Sequence, residues 1–107
     1  MIIMKEKLRL FYSTCGKIAD SQNIAKVLLK NKKVVCVNII KSVKSYYRES
    51  NQIKSCNENV LIIKTFLNQI KLEKILKNNH PYEIPFVIEL KTGNVNSEYS
   101  RWAGKNK

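Results

Sequence analysis

From Lys7 to Thr14 the chain reads KLRLFYST, with Leu8, Leu10 and Tyr12 on one side and Arg9, Phe11 and Ser13 on the other. That period of two predicts a β-strand. The period then lengthens. In GKIADSQNIAKVLLKNK, beginning at Gly16, residues Ile18, Ile24, Ala25, Leu28 and Leu29 fall near helical spacing while Lys and Asn fill the other face. This predicts an amphipathic helix, with Gly16 as a candidate cap and an end near residues 31–33.

VVCVNIIKSVKSYY, from Val34, is a long β-rich run without Gly or Pro. Val34 to Ile40 is almost continuously apolar, which predicts burial on both faces, and from Lys41 the run turns polar and alternating. RESNQIKSCNEN, residues 48–59, reads as a polar turn region, and VLIIKTF as a second apolar strand. Together they predict a long hairpin projecting from the domain. NQIKLEKILKNN predicts a second helix, with Asn68 as N-cap, Ile70, Ile75 and Leu76 along its apolar side and Leu72 as a further candidate for it. Pro81 forbids its continuation. PFVIEL is a short strand. NSEYSRWAGKNK predicts a final helix capped by Asn96 or Ser97, with Tyr99 and Trp102 three apart on one face.

The order β-α-β-β-α-β plus a terminal helix is the α+β, ferredoxin-like split βαβ. Both long helices lie on one face of an antiparallel sheet. The short last helix is too small to cover the other face, and strands apolar on two sides do not stay open to water. An oligomer is therefore expected.

Length fits this picture: 107 residues make a single domain, residues 1–107, with the first and last few residues loose. No apolar run approaches a membrane span. Charges at Lys5, Glu6, Lys7 and Arg9 interrupt the segment a signal peptide needs, so the expected location is the cytoplasm. Cys15, Cys36 and Cys56 form no CxxC pair, which argues against a disulfide framework or a thiolate zinc site. The net charge is +12, and such a field attracts polyanions. Yet 17 Lys, 12 Asn and 13 Ile all have codons rich in A and T, and the lysines are dispersed rather than blocked. Coding bias is the plainer reading of the charge and attraction of polyanions the other, and under either the field assists an anionic ligand.

Several stretches in order, CVNI from Cys36, Tyr47-Arg48, VLIIKT from Val60, HPYEIP from His80, then Tyr99 and Trp102, resemble the CutA divalent-cation-tolerance family. The likeness runs over about residues 8–103 without a gap. It implies a PII-like trimer of ferredoxin-like subunits, a role in tolerance of copper and other divalent metals, and copper or another divalent cation as ligand. It also places Ser13 where copper-binding relatives carry a Cys, and Asn79 at the first of two His positions, so only His80 of that set stands here. Other departures are Glu49 and Asn51 in place of a Trp and a Gly, Gly16-Lys17-Ile18 in place of Pro-Asp-Glu, and Val35 in place of Ala.

Candidate metal ligands are thus His80, Cys15, two residues beyond Ser13 and on the same side of an extended strand, and Glu83. The plainer reading of His80 is an imidazole bonded at a helix end. Tyr82, Lys64, Tyr47, Arg48, Cys36 and Trp102 are candidates for a ligand cleft or the trimer interface. Lys64, among apolar strand residues, could meet an anion or snorkel to water. Cys36 reads as core and Cys56 as exposed. Pro81 and Pro85 stiffen a loop that fixes the trio His80, Tyr82 and Glu83. Catalysis has little support: one His and one Asp (Asp20) make no triad, and no phosphate-binding Gly loop is present. A basic nucleic-acid-binding module of the same fold is the alternative, but VLIIKTF lacks the Gly-aromatic RNA-binding pattern.

Overall fold

The computed structural model describes residues 6–105; the expected looseness of the extreme ends falls outside them. Strands β1 (Arg9–Cys15), β2 (Val34–Glu49), β3 (Gln52–Thr65) and β4 (Val87–Leu90) form one sheet in the order β2-β3-β1-β4, with every neighbouring pair antiparallel. Helices α1 (Ile18–Leu29) and α2 (Gln69–Asn79) pack on one face, and α3 (Ser97–Lys105) ends the described chain. This is the expected ferredoxin-like order.

The alternation in β1 sets the two faces. Phe11, Ser13 and Cys15 are fully buried, and register pairs them with Ile63, Leu61 and Asn59 of β3. Ile24 and Leu28 of α1, with Leu72 and Leu76 of α2, close this core. The apolar side of α2 is therefore Leu72, Ile75 and Leu76, and Ile70 is 78% exposed. Residues two apart lie on nearly opposite sides of a helix, so Leu72 and Ile70 cannot both face the sheet. In α1 the buried set is Ser21, Ile24 and Leu28, and Leu29 is exposed. Lys17, not Gly16, is the N-cap of α1. Asn68 caps α2 as expected, its Oδ1 accepting the Lys71 N–H at 2.9 Å.

The hairpin departs most from expectation. Residues 48–59 are strand except for a turn at Ser50 and Asn51, both with positive φ (49° and 63°). Positive φ at both central residues suits the twist of flanking strands. Two irregularities, between Val34 and Cys36 and between Ile40 and Val43, shift the β2–β3 register. At the second, Ser42 takes φ 61° and its N–H donates to Asn59 Oδ1 at 3.4 Å. The hairpin gives the molecule extents of 56 × 25 × 22 Å.

Opposite α1 and α2 the sheet is largely open, with the α3 segment over only its Leu10–Lys64 corner. Leu10, Tyr12, Ile62, Ile88, Cys36 and Ile40 share that face by register. β2 is an edge strand here, and Ile40 is 51% exposed and Ile88 45%. Burial of Val34–Ile40 on both faces is thus not achieved within one chain. Among the described residues no helix is long and apolar enough to cross a membrane.

Candidate functional site

Helix α2 ends at Asn79 because Pro81 forces its predecessor out of helical geometry, and His80 is its C-cap at φ −88°, ψ 139°. The His80 N–H still donates to the Leu76 carbonyl at 2.8 Å. Its ring, almost fully buried, folds against β1. Nδ1 accepts the Tyr82 backbone N–H at 3.0 Å, which leaves Nε2 to donate to the Thr14 carbonyl at 2.7 Å. Both ring nitrogens are therefore engaged within the chain.

Tyr82 packs against His80 with ring centroids 4.6 Å apart and planes inclined at 55°, and reaches past the end of β1, its hydroxyl donating to Glu58 Oε2 at 2.9 Å. It passes so close to β1's end that a Cβ on Gly16 would lie 3.1 Å from the Tyr82 hydroxyl. Burial works against ionisation of Glu58. Hydrogen bonds from Ser45, Tyr82 and Thr14 outweigh it and hold the carboxyl below its ordinary range. Burial and the Glu58 carboxylate push the Tyr82 hydroxyl well above its ordinary value. The loop, β1 and the base of the hairpin are thus locked through one carboxylate.

This lock predicts a pH dependence. A carboxyl depressed in the folded state adds stability above its unfolded pKa, and that stability is lost as pH falls through the folded value. Tyr82→Phe removes one donor, so it should cost about 1 kcal/mol at neutral pH and flatten the loss of stability below about pH 4.3. Melting temperatures from neutral to acid pH check this. Parallel curves for variant and wild type would refute it.

The metal candidates are not gathered. Cys15 has no exposure and faces the helix-side core, and desolvation raises its thiol pKa and keeps it protonated. Glu83 is exposed on the loop. Ser13 is buried and donates to the Phe86 carbonyl at 2.6 Å, and the Asn79 side-chain amide donates to the Ile75 carbonyl at 2.8 Å. Among the described residues no three His, Cys, Asp or Glu side chains lie close enough to hold a metal ion. A cation on His80 would have to displace the Tyr82 N–H or the Thr14 carbonyl, so these residues do not form a preformed centre within one chain.

The remaining candidates are spread over the open face and hairpin. Lys64 is half-buried beside α3, its ammonium 5.4 Å from the Tyr99 ring centroid. Cys36 is half-buried on the open face, not in the helix-side core. Cys56 is half-buried rather than exposed. Tyr47 and Arg48 are exposed on the hairpin. Trp102 meets Tyr99 at 5.4 Å between centroids but is 50% exposed, and Ala103 is the fully buried residue of α3. Sequence reasoning missed Glu58, Thr14 and Ser45. One signal was available: Glu58 is the sole carboxylate residue between Glu49 and Glu73 in a basic stretch.

A four-stranded split βαβ with a long hairpin and a proline-braced loop at the end of its second helix defines the class. Residues 9–106 match the family described as CutA1 divalent ion tolerance protein, and the chain belongs to that family. It is 32% identical over 94 residues to Protein CutA homolog of Xenopus laevis, a match covering 87% of this chain and 62% of that protein. It is also 32% identical over 87 residues to the divalent-cation tolerance protein CutA of Thermus thermophilus, covering 80% of this chain and 84% of the relative. The crystal structure of divalent ion tolerance protein CutA1 from Ehrlichia chaffeensis superposes with a TM-score of 0.86 at 27% identity, covering 95% of this chain and 96% of that one. The chain spans less than two thirds of the Xenopus relative's length.

Proposed function

We propose that the chain works as a homotrimer in divalent-cation tolerance, as a cytoplasmic, non-catalytic binding protein whose ligand sites lie near subunit contacts. The observation that carries this reading is the sheet face opposite α1 and α2, where Tyr12 and Ile62 are only half-buried and Ile88 and Ile40 are exposed. An apolar surface of this kind on a folded domain favours association. The trimer is the assembly that the family resemblance implies. With β2 at the sheet edge, a neighbour can also supply the second layer that the run Val34–Ile40 calls for.

Copper is the foremost metal in this reading, because Cu(II) stands highest in the order of divalent affinities. A tight site in the assembly draws ligands from more than one chain, and His80, Cys15 and Glu83 are this chain's contributions to weigh. Calorimetric titration of Cu(II) into the assembled protein, beside His80→Ala and Cys15→Ser, tests the metal arm. Saturable binding that His80→Ala abolishes is the expected result. Binding unchanged by both substitutions would remove these residues from the reading.

A further inference from the structure

Between the open sheet face and the segment leading into α3 lies a cleft of about 270 Å³ whose lining includes Leu10, Lys64, Thr92, Val95, Asn96 and Tyr99. Leu8 and Arg9 complete the lining, and since Arg9 is already paired with Glu89 at 3.0 Å, the uncommitted cation is Lys64. The side chain is half-buried, and its neighbours across the strands are the uncharged Leu10 and Cys36. The ammonium lies over the Tyr99 ring at 5.4 Å, and among the described residues it has no carboxylate partner and no hydrogen-bond acceptor. A ring face offsets part of the cost of desolvating a cation, but it satisfies none of the three N–H donors. Across the cleft the Thr92 hydroxyl and Asn96 amide also lack a side-chain hydrogen-bond partner among the described residues. Leu10, Val95 and Tyr99 supply apolar walls.

One cation with free donors, a few polar groups and apolar walls is the usual make-up of a small-ligand site. We propose that this cleft binds a small monoanion, a carboxylate on an aromatic or branched apolar body, with the carboxylate paired to Lys64 and the body against Tyr99. The site is independent of the metal reading, since none of the metal candidates lines it. An aliphatic stem that merely carries the ammonium out to water is the competing account, and it predicts no preference for an anion.

Benzoate and its neutral isostere benzamide distinguish the two when titrated, by calorimetry or ligand-observed NMR, into the full-length protein in its native assembly. The proposal expects saturable benzoate binding, at least ~10-fold tighter than benzamide, retained in Lys64→Arg and lost in Lys64→Met. Equal affinity for the two probes, no saturable benzoate binding, or benzoate binding unchanged in Lys64→Met would each overturn it. Should Lys64→Met fail to fold, the comparison of the two probes on the wild-type protein decides alone.

Discussion

Phe11→Ala is expected to destabilise the protein by about 3–5 kcal/mol, the cost of emptying a fully packed aromatic site. Phe11 has no exposed surface and sits at the centre of β1, between the Ile63 and Glu89 registers. Around it the core comprises Ile24, Leu28, Leu72 and Leu76 from both helices, and packed side chains of two helices and a sheet cannot collapse far into the space left behind. Denaturant unfolding of variant and wild type at equal protein concentration checks it, because assembly couples stability to concentration. A loss below about 1 kcal/mol would mean the core is not closed around this ring.

Cys36→Asp is expected to have the second large effect, on assembly rather than on the fold of one chain. Cys36 is half-buried on the open face, in register with Lys64. In an isolated subunit a carboxylate there reaches water at modest cost. In the trimer proposed above it would be drawn, with the Lys64 ammonium opposite it, into a shared apolar layer, where the desolvation of an ion pair can exceed its Coulombic gain. The variant should therefore elute as smaller species that keep secondary structure by circular dichroism. A Cys36→Asp protein with wild-type mass and melting temperature would refute the placement of this face at the subunit contact.

Much of the fold was legible because its signals are local. The alternation in KLRLFYST, the Asn68 cap and the Pro81 stop each act within a turn or two of chain. The failures came where the deciding contact is distant or where two local choices compete. Ile70 and Leu72 are equally apolar, and only the position of the sheet relative to α2 selects Leu72. The polar residues 48–59 read as a turn, yet they pair as strand because a two-residue reversal at Ser50-Asn51 needs no glycine. Asn tolerates positive φ better than most residues. The open face was anticipated from two-sided apolar strands, and Ile40 and Ile88 are exposed on it in a single chain.

The site was legible in part. HPYEIP announced a rigid loop carrying His80 and Tyr82, and both are fixed by hydrogen bonds, to the end of β1 and to the middle of β3. What the sequence could not reveal was the partner: Glu58 lies 24 positions away from Tyr82 and meets it only through the sheet. Nor could spacing along the strand tell that Cys15 faces the helices while His80 spends both nitrogens on the backbone.

In the trimer proposed above, the face opposite α1 and α2 is covered by two further copies of the chain. Light scattering coupled to gel filtration, on tag-free protein at low micromolar concentration, measures this directly. A particle about three times the 12.5 kDa chain mass, unchanged on dilution, is the predicted result. A stable monomer of 12.5 kDa would contradict it.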